Sequence, residues 1–194
     1  MQFRGFCTEN YYSDENFIKH LAKPPREDQP ATFAHYAKIF AHPLTWEDLR
    51  WIRTQTSLPI AVKGIQHADD ARMAIDNGAD VLYCANYGGR QANSGISTLQ
   101  LLPGVVEAAG STPVMFDSGV RDATDAVIAL ALGATAVGLG RPYAYALSYG
   151  GAESLTHYLK SFLAEFDLCL AVCGFKDIAA LKAAGCEQAL GASR

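Results

Sequence analysis

The sequence predicts an α/β protein: four parallel strands with flanking helices, half the complement of a (β/α)8 barrel. Three observations lead there. Strand and helix signals alternate from Leu44 onward, a set of residues recurs 55 positions later, and each predicted strand ends on a polar or glycine-rich group. Such alternation implies a parallel sheet joined by right-handed crossovers.

The first element is a helix in LTWEDLRWIRTQT, with Thr45 as N-cap and Trp46, Leu49, Ile52 and Arg53 at helical spacing. LPIAVKGI (58–65) is a continuous apolar run ending in Lys63 and Gly64, the pattern of a strand buried on both faces. A helix over 68–77 stops at Gly78 in the C′ position, and ADVLYCAN (79–86) is the second strand. A helix over 96–109 leads to the third strand, TPVMFD (112–117). A helix over 122–132, closed by Gly133, leads to the fourth, ATAVGLG (134–140).

The repeat ties these elements together. Lys63-Gly64-Ile65, Asp70-Ala71, Ala74 and Gly78-Ala79 return as Ser118-Gly119-Val120, Asp125-Ala126, Ala129 and Gly133-Ala134. Each repeat therefore holds two βα units, which suits a barrel better than an irregular doubly wound sheet. Four strands are half of the eight that a barrel of about 250 residues requires. The expected division is an extension over 1–43 and a half barrel over 44–194. The extension is polar and aromatic, broken by Pro24, Pro25 and Pro30, with a short helix around 31–40. A connection that long is a functional lid or is disordered.

Composition narrows the function. With 49% hydrophobic and 19% charged residues the chain reads as a soluble globular domain, and a net charge of −4 gives no reason to expect nucleic acid or an anionic membrane as partner. No apolar run spans a bilayer, and the N-terminus lacks the apolar core of a secretory signal. An intracellular, cytoplasmic protein is the expectation. The five cysteines, Cys7, Cys84, Cys169, Cys173 and Cys186, read as small buried hydrophobes, and the five scattered histidines give no metal site.

Barrel enzymes carry their chemistry at the C-terminal ends of the strands, which here read VKGI, CANYGGRQ, FDSGVR and GLGRP. Gly119 and Gly140 permit close backbone approach, and Arg121 and Arg141 bring guanidinium forks suited to phosphate. Asp117 ends its strand where a sugar or ribityl hydroxyl can donate to it. Either end alone is also what surface arginines and turn glycines produce; both together, one βα unit apart, point to a phosphate. Lys63 places a cation at the barrel mouth, suited to developing negative charge, or else a lysine snorkelling at the rim. Gly88-Gly89 form a tight turn before Arg90, a bidentate partner for a carboxylate, and Tyr87 sits at a position from which a side chain can face the same pocket. A barrel binding some other phosphorylated metabolite is the competing expectation.

LPIAVKGI, NYGGRQ, FDSGVRDATD and ALGATAVGLGRPYAYAL, in that order from about Pro43 to Gly174, resemble the FMN-dependent 2-hydroxy-acid oxidases and dehydrogenases. The match is to the C-terminal half of their barrel. YYSDENFIKHLAKPPRED is similar to the lactate monooxygenase branch. The resemblance implies FMN as cofactor and oxidation of a lactate-like 2-hydroxy acid to a 2-oxo acid by transfer of a hydride equivalent to flavin. It places Lys63 near the flavin N1–C2=O edge and Arg90 on the substrate carboxylate. Asp117, Gly119, Arg121, Gly140 and Arg141 would hold the ribityl chain and phosphate. It also implies a histidine base where this chain has Tyr87, and an aspartate near Asn93. A phenol is almost wholly protonated near neutrality and makes a poor base, so a rate loss of about 10² to 10⁴ is expected. The alternative is an impaired FMN- or phosphate-binding remnant. A half barrel leaves strand edges and an apolar face uncovered, which predicts a homo-oligomer or pairing with an N-terminal half.

Overall fold

The computed structural model describes residues 9–40, 43–91 and 93–191. Its backbone divides into two compact units, 1–45 and 46–194.

In the first unit, α1 (Glu15–Ile18) is capped by the Asp14 carboxylate, which accepts from the N–H groups of Asn16 and Phe17. It is followed by α2 (Gln29–Phe40). Tyr11, Phe17, His35, Tyr36 and Phe40 stack with ring centroids 4.7–5.6 Å apart. These aromatic contacts pack the two short helices together, with Phe17 buried among the rings.

The second unit contains α3 (Trp46–Gln55), β1 (Ala61–Ile65), α4 (Ala68–Asp76), β2 (Val81–Cys84), α5 (Thr98–Ala109), β3 (Val114–Phe116), α6 (Ala123–Ala131) and β4 (Ala136–Val137). All neighbouring strands are parallel and their spatial order is the chain order. The four strands with flanking helices form half of a (β/α)8 barrel. Two helices beyond the predicted elements complete the unit, α7 (Arg141–Val172), broken at Gly150 and Gly151, and α8 (Ile178–Leu190). Leu170 of α7 and Leu181 of α8 close a small core on Val127, Leu130 and Ala131 of α6.

The repeat is a repeat of backbone geometry. Gly64 and Gly119 have φ of +102° and +110°, and Gly78 and Gly133 have φ of +101° and +104°. Both following helices are capped by the equivalent side chain, His67 accepting from Asp69 N–H and Asp122 from Asp125 N–H. Both end in the same pair of bonds, Gly78 N–H to Ile75 and Ala79 N–H to Ala74, then Gly133 N–H to Leu130 and Ala134 N–H to Ala129. That pattern needs the left-handed residue which glycine supplies.

The expectation for the first strand is corrected. Over 58–65 the chain is not a strand buried on both faces: Ala61 and Lys63 are exposed, and only Ile65 of β1 is buried. Leu82, Cys84, Val114 and Phe116 point into the core, whereas their neighbours Val81, Tyr83 and Met115 are half-buried. A half barrel has helices on its outer face only, so the residues that would fill a barrel interior lie open. The entry to β1 is pinned by Arg53, which reaches the Asp80 carboxylate at 2.7 Å and the carbonyls of Thr56 and Leu58. Asp80 also accepts from Ile60 N–H at 2.7 Å. That N–H first, and then the guanidinium, hold the Asp80 carboxyl below its ordinary range.

Candidate functional site

The C-terminal ends of the four strands open on one cleft of about 790 Å³. It collects Lys63 from the end of β1, Tyr87 and Arg90 from the loop after β2, and Asp117, Gly119 and Arg121 from the end of β3. Gly140 and Arg141 enter from the end of β4, where α7 begins. All eight residues singled out in the sequence thus face one space.

At β1 the register skips between Lys63 and Ile65, and the bulge lies at Gly64. The Lys63 ammonium pairs with the Asp117 carboxylate and sits 3.8 Å from the centroid of the Tyr83 ring. Burial, then the charge of Asp117 and a hydrogen bond to it, pushes the Tyr83 phenol above its ordinary range. Burial first, and Asp117 second, push the Cys84 thiol up to about 12. Cys84 is a buried core residue, as the sequence leads one to expect. Cys169 is half-buried and Cys173 exposed, which corrects that expectation for these two, both at or near the C-terminal end of α7.

The loop after β2 makes a 3-10 turn over Tyr87–Gly89 in which Tyr87, Gly88 and Gly89 all have left-handed φ (57°, 65° and 72°). The Tyr87 hydroxyl donates to the Lys63 carbonyl at 3.3 Å. It occupies the volume left by the missing side chain of Gly64, where a Cβ would lie 2.6 Å from that hydroxyl. From the far wall, Arg141 donates to the Gly88 carbonyl at 3.2 Å. The guanidinium groups of Arg90 and Arg121 make no hydrogen bond or ion pair among the described residues. A Cβ built on Gly119 or Gly140 meets nothing within 4 Å, so both backbones border open space.

Some of the site escaped the sequence reading. Ser118, Gln91, Tyr143 and Tyr145 also line the cleft, and Tyr83 lies beneath Lys63. Ser118 had one legible signal, its place in the repeat opposite Lys63. Asn93 is exposed beside the turn; an added Cβ at Gly89 would lie 3.4 Å from its amide oxygen. Among the described residues, no group of three or more His, Cys, Asp or Glu side chains is arranged to hold a metal, and no helix is long and apolar enough to cross a membrane. Cys7, His42 and the side chain of Cys186 lie outside the described residues.

Parallel strands whose C-terminal ends bring open glycine backbone and the guanidinium groups of Arg90, Arg121 and Arg141 to one cleft define a protein of barrel type with a cationic rim. Comparison with known proteins narrows the class. The FMN-dependent dehydrogenase family matches residues 4–188, and the chain belongs to that family, whose cofactor is FMN. The chain is 37% identical to an L-lactate oxidase of Lysinibacillus sphaericus, over 92% of this chain and 46% of that protein. It is 40% identical to human 2-hydroxyacid oxidase 1, over 78% of this chain and 41% of that one. A solved structure of mandelate oxidase with (S)-4-hydroxymandelic acid superposes with a TM-score of 0.69 at 35% identity, over 72% of this chain and 40% of the other. The chain thus spans less than half the length of the relatives it matches.

Proposed function

We propose that this chain forms the cofactor-phosphate and substrate-carboxylate side of an oxidoreductase that converts a lactate-like 2-hydroxy acid to a 2-oxo acid. The carrying observation is the open backbone at Gly119 and Gly140 beside the guanidinium groups of Arg121 and Arg141, at the mouth of α7. Open glycine backbone at the start of α7 and two arginines suit a phosphate dianion, so the residues present fit FMN. Asp117 would accept from a ribityl hydroxyl, and Lys63 would stabilise negative charge at the ring edge. FMN, when bound, supplies the acceptor for the hydride equivalent. Arg90, exposed and unpaired among the described residues, would bind the substrate carboxylate through a bidentate contact.

The proton of the substrate hydroxyl is the weak point. Tyr87 already donates its hydroxyl proton to the Lys63 carbonyl, and a protonated phenol in that pose is a poor proton acceptor. This favours a second reading, an impaired flavin-binding half barrel. The open inner face supports completion by further strands, from a second copy or from the other half of a barrel, before turnover.

Titration of the protein with FMN and with riboflavin, followed by flavin fluorescence and visible absorbance, tests the cofactor assignment. Its mass in solution is recorded alongside. FMN should bind at least tenfold more tightly than riboflavin, and Arg121→Ala with Arg141→Ala should erase the difference. Equal binding of the two flavins would refute the phosphate site. Tyr87→His, in FMN-loaded protein with the barrel completed, should raise 2-hydroxy-acid turnover by about 10² or more; no gain would refute the base argument.

A further inference from the structure

Ser118 has left-handed φ, at +82°, where a serine is strained and a glycine is at ease. Its hydroxyl is fully used. Oγ accepts from the backbone N–H of Asn86 at 3.1 Å and of Gly88 at 3.2 Å, and donates to Oδ1 of Asp117 at 2.8 Å. One donor and two acceptors is the whole capacity of a hydroxyl. The other carboxylate oxygen of Asp117 is held by Lys63. Ser118 therefore joins the end of β3 to both sides of Tyr87, in a turn whose three consecutive left-handed residues have little reason to persist unaided. Arg90 continues from that turn, its N–H bonded to the Tyr87 carbonyl at 3.3 Å.

We infer that Ser118 is a positioning residue: it fixes the 86–90 turn, and with it the direction of Arg90, relative to the Lys63–Asp117 pair. The inference rests on the proposed function only where it concerns the substrate carboxylate. A strained serine in place of a glycine costs stability that its three hydrogen bonds offset, and those bonds reach the turn rather than the phosphate end. Loss of the hydroxyl should therefore loosen carboxylate capture and leave phosphate capture in place.

The test compares wild type with Ser118→Gly, which removes the hydroxyl and relieves the strain, so that folding is retained. In ligand-free protein, hydrogen exchange at the Asn86 and Gly88 amides should quicken about fivefold to tenfold, with β1 and α4 unchanged. In FMN-loaded protein, the dissociation constant of oxalate, read from the flavin spectrum, should rise about tenfold while that of FMN stays within about threefold. Unchanged exchange at both amides overturns the inference, as does unaltered oxalate affinity or an equal loss for oxalate and FMN. If wild type binds no FMN, the proposed function fails by itself, and the exchange comparison still decides whether Ser118 holds the turn.

Discussion

Gly64→Ala and Gly119→Ala make a matched pair, because the repeat gives the two glycines nearly the same φ, +102° and +110°. At Gly119 the added methyl meets nothing within 4 Å, so its cost is backbone strain alone, about 1–3 kcal/mol. At Gly64 the same methyl would lie 2.6 Å from the Tyr87 hydroxyl and 3.2 Å from its ring. The tyrosine must leave, and its bond to the Lys63 carbonyl goes with it, worth about 1 kcal/mol. Gly64→Ala should thus cost about 1–2 kcal/mol more than Gly119→Ala. At roughly 2–4 °C in Tm per kcal/mol for a chain of this size, that gap is about 2–8 °C. Urea unfolding followed by circular dichroism measures both costs. Measured in a Tyr87→Ala background, Gly64→Ala should cost no more than Gly119→Ala does, a coupling of about 1–2 kcal/mol. Equal costs for the two alanines, with no effect of Tyr87→Ala on the difference, would refute the notch at Gly64.

Other outcomes follow from the same geometry. Asp80 has its folded-state pKa depressed below 3.8, so its stabilising contribution is present above that value and is lost as pH falls through the lower, folded one. Asp80→Asn should remove that part of the acid limb of the stability–pH curve, and an unaltered limb would be evidence against the pairing. Cys84, with its thiol near 12, should resist alkylation at pH 8 until the protein unfolds, while exposed Cys173 reacts. Peptide mapping after iodoacetamide separates the two, and early labelling of Cys84 would contradict its burial. Gly138→Ala introduces no positive φ but drives a methyl into the Tyr83 hydroxyl. A loss of about 1–3 kcal/mol is expected, largely restored by Tyr83→Phe; no restoration would place the clash elsewhere.

The sequence by itself determined the βα order, the repeat and which polar residues stand at the strand ends. Lys63, Arg90, Asp117, Arg121 and Arg141 were legible because a charged residue closing an apolar strand, or following a glycine turn, has few structural reasons to be there. Helix ends were legible at Gly78 and Gly133, since the left-handed cap demands a residue without a side chain. Only the tertiary structure decided which face of β1 lies open, because an apolar run records hydrophobicity and not how many layers cover it. The same holds for Tyr87 filling the notch of Gly64, for Tyr83 beneath Lys63 and for Ser118 joining β3 to the 86–90 turn. These contacts link residues 20 to 32 positions apart, on neighbouring strands or in the loops that follow them, and periodicity carries no information on which side chains a parallel register brings together.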